Sequence, residues 1–400
     1  MQNQDLLPLK KEYLFVTHKY PPSTGGMQKQ SFELITNIAR EKPVDKIIFR
    51  SSYPKIFFFL SITVCAYFKV LFDKDIKLVH ANDGLMALFL TPLLLIKRIQ
   101  LCATIHGLDV VFNFSGYQWW VKKYLTRFAF LITVSEATRD ECIARGINPD
   151  RVFYIPNAVE LPEKTDKNPE FVHWLQSNFG KKIEGRFLIS SVGRPVPRKG
   201  FGWFAKEILP HLPNTSYIVV GTKIDSSWVI SWLRAILPAR TFEKACIMLG
   251  VPLDNIRLAE IAKQNEQLVL PGKVPYDKLI QTYLHSDLFV MPNKHVAGDF
   301  EGFGLVALEA GSLGAVCLAA NVDGIPSAIA DGENGFLLES ENKEEWIQKV
   351  TELQDANNLT KAQEAFKPYY ETQQSSWKDM SDQYIRLFDQ QLSRDSDRPS

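Results

Sequence analysis

The chain has 400 residues, 46% of them hydrophobic and 23% charged, with a formal net charge of +1. That length exceeds one ordinary core, so two domains are the starting expectation, and the near-neutral balance argues against a dedicated nucleic-acid binder. The charge is uneven, with 20 Lys and Arg against 14 Asp and Glu in residues 1–160, which suits an anionic acceptor or an acidic membrane surface and equally suits chance scatter.

The N-terminal stretch MQNQDLLPLKKEYLFVTH lacks the apolar core of a signal peptide. Strands are expected at 12–18, 45–50, 76–81, 100–106, 129–135 and 151–156, separated by helices at 27–40, 56–71, 84–98, 116–127 and 136–145. Within the second helix, KIFFFLSITVCAYFK places 13 residues between Lys55 and Lys69. A spanning helix needs about 20, so a buried or surface-resting helix is expected. The polar, Pro- and Gly-broken segment 161–185 reads as a linker. Strands resume at 186–192, 216–221, 266–272, 287–292, 314–320 and 335–339. This alternation implies α/β architecture: two doubly wound domains with parallel sheets, facing a cleft. The expected division is 1–165, a linker at 166–185, a second domain at 186–372, a C-terminal helix at 373–395 and a disordered tail at 396–400.

The interval 223–265 is long for a connection and holds Trp228 and Trp232 one turn apart, near Arg234, Arg240 and Lys244. A helical insertion packed on its own domain and an interfacial helix with tryptophans at headgroup level both fit. The five cysteines (Cys65, Cys102, Cys142, Cys246 and Cys317) form no CxxC or Cys/His cluster. They read as buried thiols in a reducing compartment.

Three strand ends carry candidate chemistry. In HKYPPSTGGMQKQ, Gly25 and Gly26 open a helix whose free amides suit an anion, without the GxGxxG spacing of a dinucleotide fingerprint; a plain tight turn fits as well. In SVGRPVPRKGF a strand ends at Gly193, and Arg194, Arg198 and Lys199 surround a proline-stiffened turn suited to a diphosphate. In EGFGLVALE, Gly302, Phe303 and Gly304 are expected to start a helix running through Glu309. Eight helical residues rise about 12 Å, beyond the roughly 5–9.5 Å of a glycosidase carboxyl pair. Glu301 and Glu309 are therefore expected to grip different parts of one elongated ligand. The run around Glu309 is apolar enough to bury its carboxylate, which demands a partner: a charge pair within the domain, or ligand hydroxyls such as a ribose offers. His106, at the end of QLCATIH, stands where it can hydrogen-bond a reacting group or serve structure alone. Asp73-Lys74-Asp75 has a metal-binding DxD form, but precedes its strand and so lies at the wrong end. No HxxxH, P-loop or GxSxG occurs.

Taken together, EGFGLVALE, YPPSTGGMQKQ, IHGLDVVF, LITVSEATRD, IPNAVE, SVGRPVPRKGF and LPGKVPYDKL resemble the motif set of the family-4 retaining glycosyltransferases, which have the GT-B fold. The resemblance spans nearly the whole chain. It implies that Arg194 and Lys199 bind the nucleotide diphosphate as leaving group. Gly302, Phe303 and Gly304 would contact phosphate and sugar, Glu301 the transferred sugar and Glu309 the ribose. His106 would contact the sugar near its anomeric carbon, Gly25 and Gly26 would close over the diphosphate, and Lys273 and Val274 would line the base pocket. The family typically needs no divalent metal or other cofactor, and the form around Asp299 leans towards GDP-mannose with UDP-hexoses open. The expected function is transfer of a hexose of mannose or glucose type from a nucleotide sugar to a glycan or lipid-linked acceptor in the cytoplasm, with association with the cytoplasmic membrane face and a peripheral membrane contact left open. A GT-B epimerase and a non-catalytic nucleotide-sugar-binding partner remain as alternatives. The sequence departs from the family in VVGTKIDSSW, which lacks the common G-x-G-P, in the Trp-containing insertion that follows, and in Ala158, where glycine is frequent.

Overall fold

In the computed structural model the described residues are 11–23, 25–49, 55–159, 165–221, 232, 235–238, 241–242, 254–373 and 375–396. They form two compact units, each built on a six-stranded, all-parallel sheet. The first unit comprises Met1–Glu160, Ala297–Phe303 and Ser375–Ser400; the second comprises Leu161–Val296 and Gly304–Gln374. Residues 297–303 thus belong with the first unit, although the sequence placed them inside the second domain.

In the first unit the strands are β1 (Tyr13–Thr17), β2 (Val44–Ile48), β3 (Leu78–Ala81), β4 (Gln100–Ile105), β5 (Phe130–Thr133) and β6 (Val152–Tyr154), in spatial order β2-β1-β3-β4-β5-β6. Every residue of β1, β3, β4 and β5 is buried, because helices cover both faces. The connecting helices are α1 (Gly26–Glu41), α2 (Lys55–Phe72), α3 (Gly84–Leu90), α4 (Leu108–Val111), α5 (Ser115–Lys123) and α6 (Glu136–Ala144). The helix expected over 84–98 stops early, since Pro92 cannot continue it and a 3-10 turn follows at Thr91–Leu95. Side chains of α2, α3 and α5, including Ile62, Met86 and Trp120, share one core cluster with the sheet.

The C-terminal helix Trp377–Ser396 joins the first unit through a buried stripe of Trp377, Met380, Tyr384 and Phe388. Phe388 packs edge-on to Tyr13, with ring centroids 5.3 Å apart, and lies 5.7 Å from His80. Asp389 accepts from the Tyr13 hydroxyl and pairs with Lys42 at 3.0 Å. The helix extends past the expected boundary of 395, and residues 397–400 of the expected tail lie outside the described residues.

The second unit holds β7 (Phe187–Val192), β8 (Thr215–Val220), β9 (Leu268–Gly272), β10 (Leu288–Met291), β11 (Val316–Ala320) and β12 (Phe336–Leu338), ordered β12-β11-β10-β7-β8-β9. The expected linker is a correction. Residues Glu170–Phe179 form helix α7, with Phe171 and Leu175 fully buried against Leu188, Ile218 and Val269. The polar composition hid a helical i, i+4, i+8 stripe of Phe171, Leu175 and Phe179, which Gly180 closes in the left-handed conformation.

Cys102, Cys142 and Cys317 are buried, and burial pushes all three thiols up, Cys142 and Cys317 to about 12. Cys65 is exposed on α2, against expectation, and Cys246 lies outside the described residues. Trp228, Arg234, Arg240 and Lys244 also lie outside them, whereas Trp232 is described and exposed. Among the described residues no helix is long and apolar enough to cross a membrane.

Candidate active site

Open α/β sheets bind ligands beyond the carboxyl ends of their strands, where the strand order reverses and neighbouring connections diverge. In the first unit the reversal falls between β1 and β3; in the second it falls between β7 and β10. Most of the site residues expected from sequence emerge at or beside these two places.

In the second unit, β7 ends in Gly193, whose φ of 146° places Lys199 Cε within 3.4 Å of where a side chain would stand. Lys199 is only 8% exposed. The loop carrying it lies tightly on the end of β10: a Cβ at Gly200 would collide with the Pro292 carbonyl, and Lys294 N donates to Arg198 O at 2.8 Å. Arg194 is exposed at the loop's entry. Asp254, buried and not singled out from sequence, anchors the same loop. It accepts from Gly202 N at 3.0 Å, and its own amide donates to Pro195 O at 3.1 Å. Burial pushes its carboxyl up despite that bond and the Arg257 and Lys294 charges. No sequence motif marks it within the 223–265 interval.

The helix after β10 runs Leu305–Ser312, beginning at Gly304 with φ 105°, a left-handed conformation that glycine adopts without strain. The expected helical start at Gly302 is therefore a correction, and a 12 Å helical rise does not separate the two glutamates. No described side chain caps this helix and its first turn carries no acid, so its amides suit an anion. Glu309 is half-buried rather than buried, and accepts from Tyr283 Oη at 3.2 Å. Burial, then the Glu309 charge, pushes the Tyr283 phenol well up. Lys273 is exposed just after β9, while Val274 is half-buried against the α7 cluster.

In the first unit, Gly25 (φ 151°) precedes α1, which begins at Gly26, has no acid in its first turn and is capped by no described side chain. The ends of β1, β3 and β4 carry a buried titratable cluster. His18 Nδ1 lies 3.2 Å from Asp83 Oδ2, and Asp83 Oδ1 accepts from Met86 N at 2.9 Å. Although burial pushes Asp83 up, the His18 contact leaves it below the usual carboxylate range. His106 Nε2 stands 2.9 Å from the Asn82 carbonyl, which fixes the proton on Nε2 and leaves Nδ1 as the acceptor of the neutral ring. His106 N donates to Asp109 Oδ2 at 2.8 Å, and burial raises the Asp109 carboxyl against the His106 charge. Only His106 of this cluster was expected from sequence. Asp109 follows three residues later in the same loop, whereas His18 and the Asn82-Asp83 pair come from other strand ends, and adjacency in the sheet unites those with it.

The segment 297–303 is laid on this cluster. A Cβ at Gly302 would collide with the His106 carbonyl, and one at Gly107 (φ 93°) would collide with the Phe300 ring. Phe303 is buried, Glu301 and Asp299 are half-buried, and Asp299 Oδ1 accepts from Phe300 N at 2.9 Å. The structure thus brings Gly302 to His106, and Lys199 to Gly193. It assigns Glu301 and Glu309 to different units. Asp73-Lys74-Asp75 occupies the turn before β3, where Asp73 Oδ1 takes the Asp75 amide at 3.1 Å.

Two doubly wound units with anion-ready glycine loops at their reversals define a protein of the GT-B fold class. Residues 174–371 match the model for glycosyl transferases group 1, and residues 15–163 match that for glycosyltransferase family 4. The chain belongs to the family-4, group 1 glycosyltransferases. It is 27% identical over 228 residues to a D-inositol 3-phosphate glycosyltransferase of Paenarthrobacter aurescens, covering 57% of this chain and 49% of that protein. It is 24% identical to a GDP-mannose-dependent monoacylated alpha-(1-6)-phosphatidylinositol monomannoside mannosyltransferase of Corynebacterium glutamicum, covering 86% and 89%. The first of these alignments spans about half the relative's length. The fold is that of Anabaena Alr3699/HepE, solved with UDP, at a TM-score of 0.68, 17% identity and coverage of 95% and 100%.

Proposed function

We propose that the protein is a metal-independent, retaining hexosyltransferase that moves a mannose- or glucose-type sugar from a nucleoside diphosphate to a glycan or lipid-linked acceptor. The observation that carries this reading is the second unit's reversal, where buried Lys199 and the uncapped helix at Leu305 follow the two flanking strands. Fixed positive charge there suits a diphosphate, and acts most where negative charge develops on it as it departs. In the reaction so read, the bond from the anomeric carbon to the phosphate oxygen breaks, and the acceptor oxygen attacks from the same face. Its proton passes to the departing phosphate. Arg194 and Lys199 hold the diphosphate, Glu309 the ribose hydroxyls, Glu301 the hexose, and Lys273 with Val274 the base. Gly25 and Gly26 bring the α1 amides to the phosphates, and His106 presents Nδ1 to the sugar.

The Corynebacterium relative is named for GDP-mannose, and HepE has also been solved with UDP-glucose. Both bases therefore enter the test. Purified protein with EDTA is incubated with GDP-mannose or UDP-glucose and an inositol-bearing glycolipid, and release of nucleoside diphosphate is followed. Release that needs acceptor, with an α-anomeric signal in the product, supports the reading. Conversion of the donor sugar without acceptor would mark an epimerase. Tight nucleotide binding with no release under any acceptor would mark a non-catalytic partner. We place the reaction at the cytoplasmic membrane face.

A further inference from the structure

The outward face of α2 is chemically unlike that of a helix on a water-soluble domain. Its inner residues Ile62, Ala66 and Val70 are buried at i, i+4 and i+8, so the opposite side faces outward. That side should be polar. Instead it presents Phe57, Val64, Phe68, Leu71 and Phe72, each between 41% and 82% exposed. The neighbouring connections continue the patch. Leu95 follows on the 3-10 turn after α3, while Phe114 precedes α5 and Trp119 lies on it, all at least 56% exposed. These elements are contiguous: α2 packs on α3 and on the 3-10 turn, and Trp120 Nε1 of α5 donates to Thr91 Oγ1 at 2.8 Å. The three crossovers β2 to β3, β3 to β4 and β4 to β5 run the same way across the sheet, and right-handedness puts all three on one side. Eight of the ten exposed large apolar side chains described in this unit lie here. Apolar exposure gathered on one face marks an interaction surface rather than ordinary scatter.

Charge identifies the partner. The stretches 46–72, 84–108 and 110–135 contain no Asp or Glu, yet they supply Lys69, Lys97, Arg98, Lys122, Lys123 and Arg127. Lys123 lies over the Trp119 ring at 4.7 Å, which sets a cation beside an exposed aromatic. Asp73 and Asp75 follow α2, Asp45 pairs with Lys69 at 2.6 Å, and Asp109, ahead of α5, has its carboxylate on the His106 amide. Phenylalanine, leucine and tryptophan on a helix face rimmed by Lys and Arg are the features of a segment lying in the interface of an anionic bilayer. We propose that the outer face of α2, the Thr91–Arg98 segment and α5 docks on an anionic lipid surface. The aromatic side chains enter the headgroup boundary and the lysines meet lipid phosphates. This inference stands apart from the transfer reading, since docking needs no donor and is measured without one.

The test is co-sedimentation of the full chain with phosphatidylcholine vesicles, with and without about a third phosphatidylglycerol. Binding to the anionic vesicles alone is expected, weakening as salt rises from about 0.1 to 0.5 M. Phe68→Ser/Phe72→Ser should lower the partition coefficient at least about tenfold. Lys122→Glu/Lys123→Glu should lower binding and flatten its salt dependence. All four positions are exposed, and circular dichroism checks that both variants fold. The proposal is overturned by equal binding to both vesicle types, by no binding, or by loss confined to Trp232→Ala. A dimer in gel filtration that Phe68→Ser/Phe72→Ser converts to monomer would overturn it too, since a second copy would then cover the face.

Discussion

Acid should weaken the first unit through one histidine. His80 on β3 is fully buried, with Nδ1 3.1 Å from Asn82 Oδ1 and Nε2 2.9 Å from Thr104 Oγ1, which in turn meets Tyr384 Oη at 3.0 Å. Burial, aided by the His106 charge and opposed by Asn82 and Asp83, lowers its pKa to about 3. An unfolded histidine titrates near 6.5. Below that pH the unfolded chain takes a proton that the native chain refuses, so stability falls as pH falls towards the folded value. Between pH 7.5 and 5.0 the loss from this group is about 2 kcal/mol. Urea unfolding of the wild type and of His80→Gln at both pH values isolates the effect, because other groups cancel in the difference. Hydrogen exchange of the β3 and β4 peptides assigns the transition to this unit. The variant should lose about 2 kcal/mol less than wild type across the interval. Equal losses in the two proteins would show that His80 does not govern the acid limb.

Gly302→Ala forces a methyl group into the His106 carbonyl. It should cost about 1–3 kcal/mol in stability and lower kcat more than it lowers nucleotide affinity, checked by denaturation and steady-state kinetics. Asp254→Ala leaves the buried Gly202 amide unpaired. A loss of about 1–3 kcal/mol is expected, with weaker nucleotide binding in calorimetry as the Arg194–Lys199 loop loosens. Glu309→Gln should weaken nucleoside diphosphate binding about tenfold or more, the worth of a charge-assisted pair, whereas Tyr283→Phe should change it little. Unchanged affinity in Glu309→Gln would remove the ribose role.

The twelve strands were legible because parallel strands buried on both faces read as apolar β-branched runs, and each expected run overlaps an observed strand, β2 and β8 starting one residue earlier than expected. Helix α7 was not legible by composition. The surrounding stretch 161–185 is polar and broken by Pro and Gly, which masked Phe171 and Leu175 at helical spacing within it. The glycine loops stood out because they are contiguous in sequence. The His18–Asp83 pair, Asn82 and Asp109 did not, because the sheet order brings them together from three separate strand ends. Glu309 was misjudged for a related reason: an apolar run predicts a buried helix, while one position on it can still face outward.

The two sheets reach the same arrangement by different strand orders. One reads 2-1-3-4-5-6 and the other, taken from its third strand, reads 3-2-1-4-5-6. In each, a chain reversal leaves two adjacent strands whose connections depart to opposite faces, so the space beyond their carboxyl ends stays open. The first unit fills that rim with titratable groups held by burial and by each other: His18, Asp83, His106 and Asp109. The second fills it with permanent charge and backbone dipole: Lys199, Arg194 and the helix beginning at Leu305. Permanent positive charge suits a diphosphate, whose own charge persists through the reaction, while a histidine with a fixed tautomer suits hydroxyls that bond and unbond. Segment 297–303 leads along the chain from the first of these rims to the helix of the second. Its Gly302 rests on the His106 carbonyl, and two residues on, Gly304 opens the Leu305–Ser312 helix, whose first amides no described side chain caps.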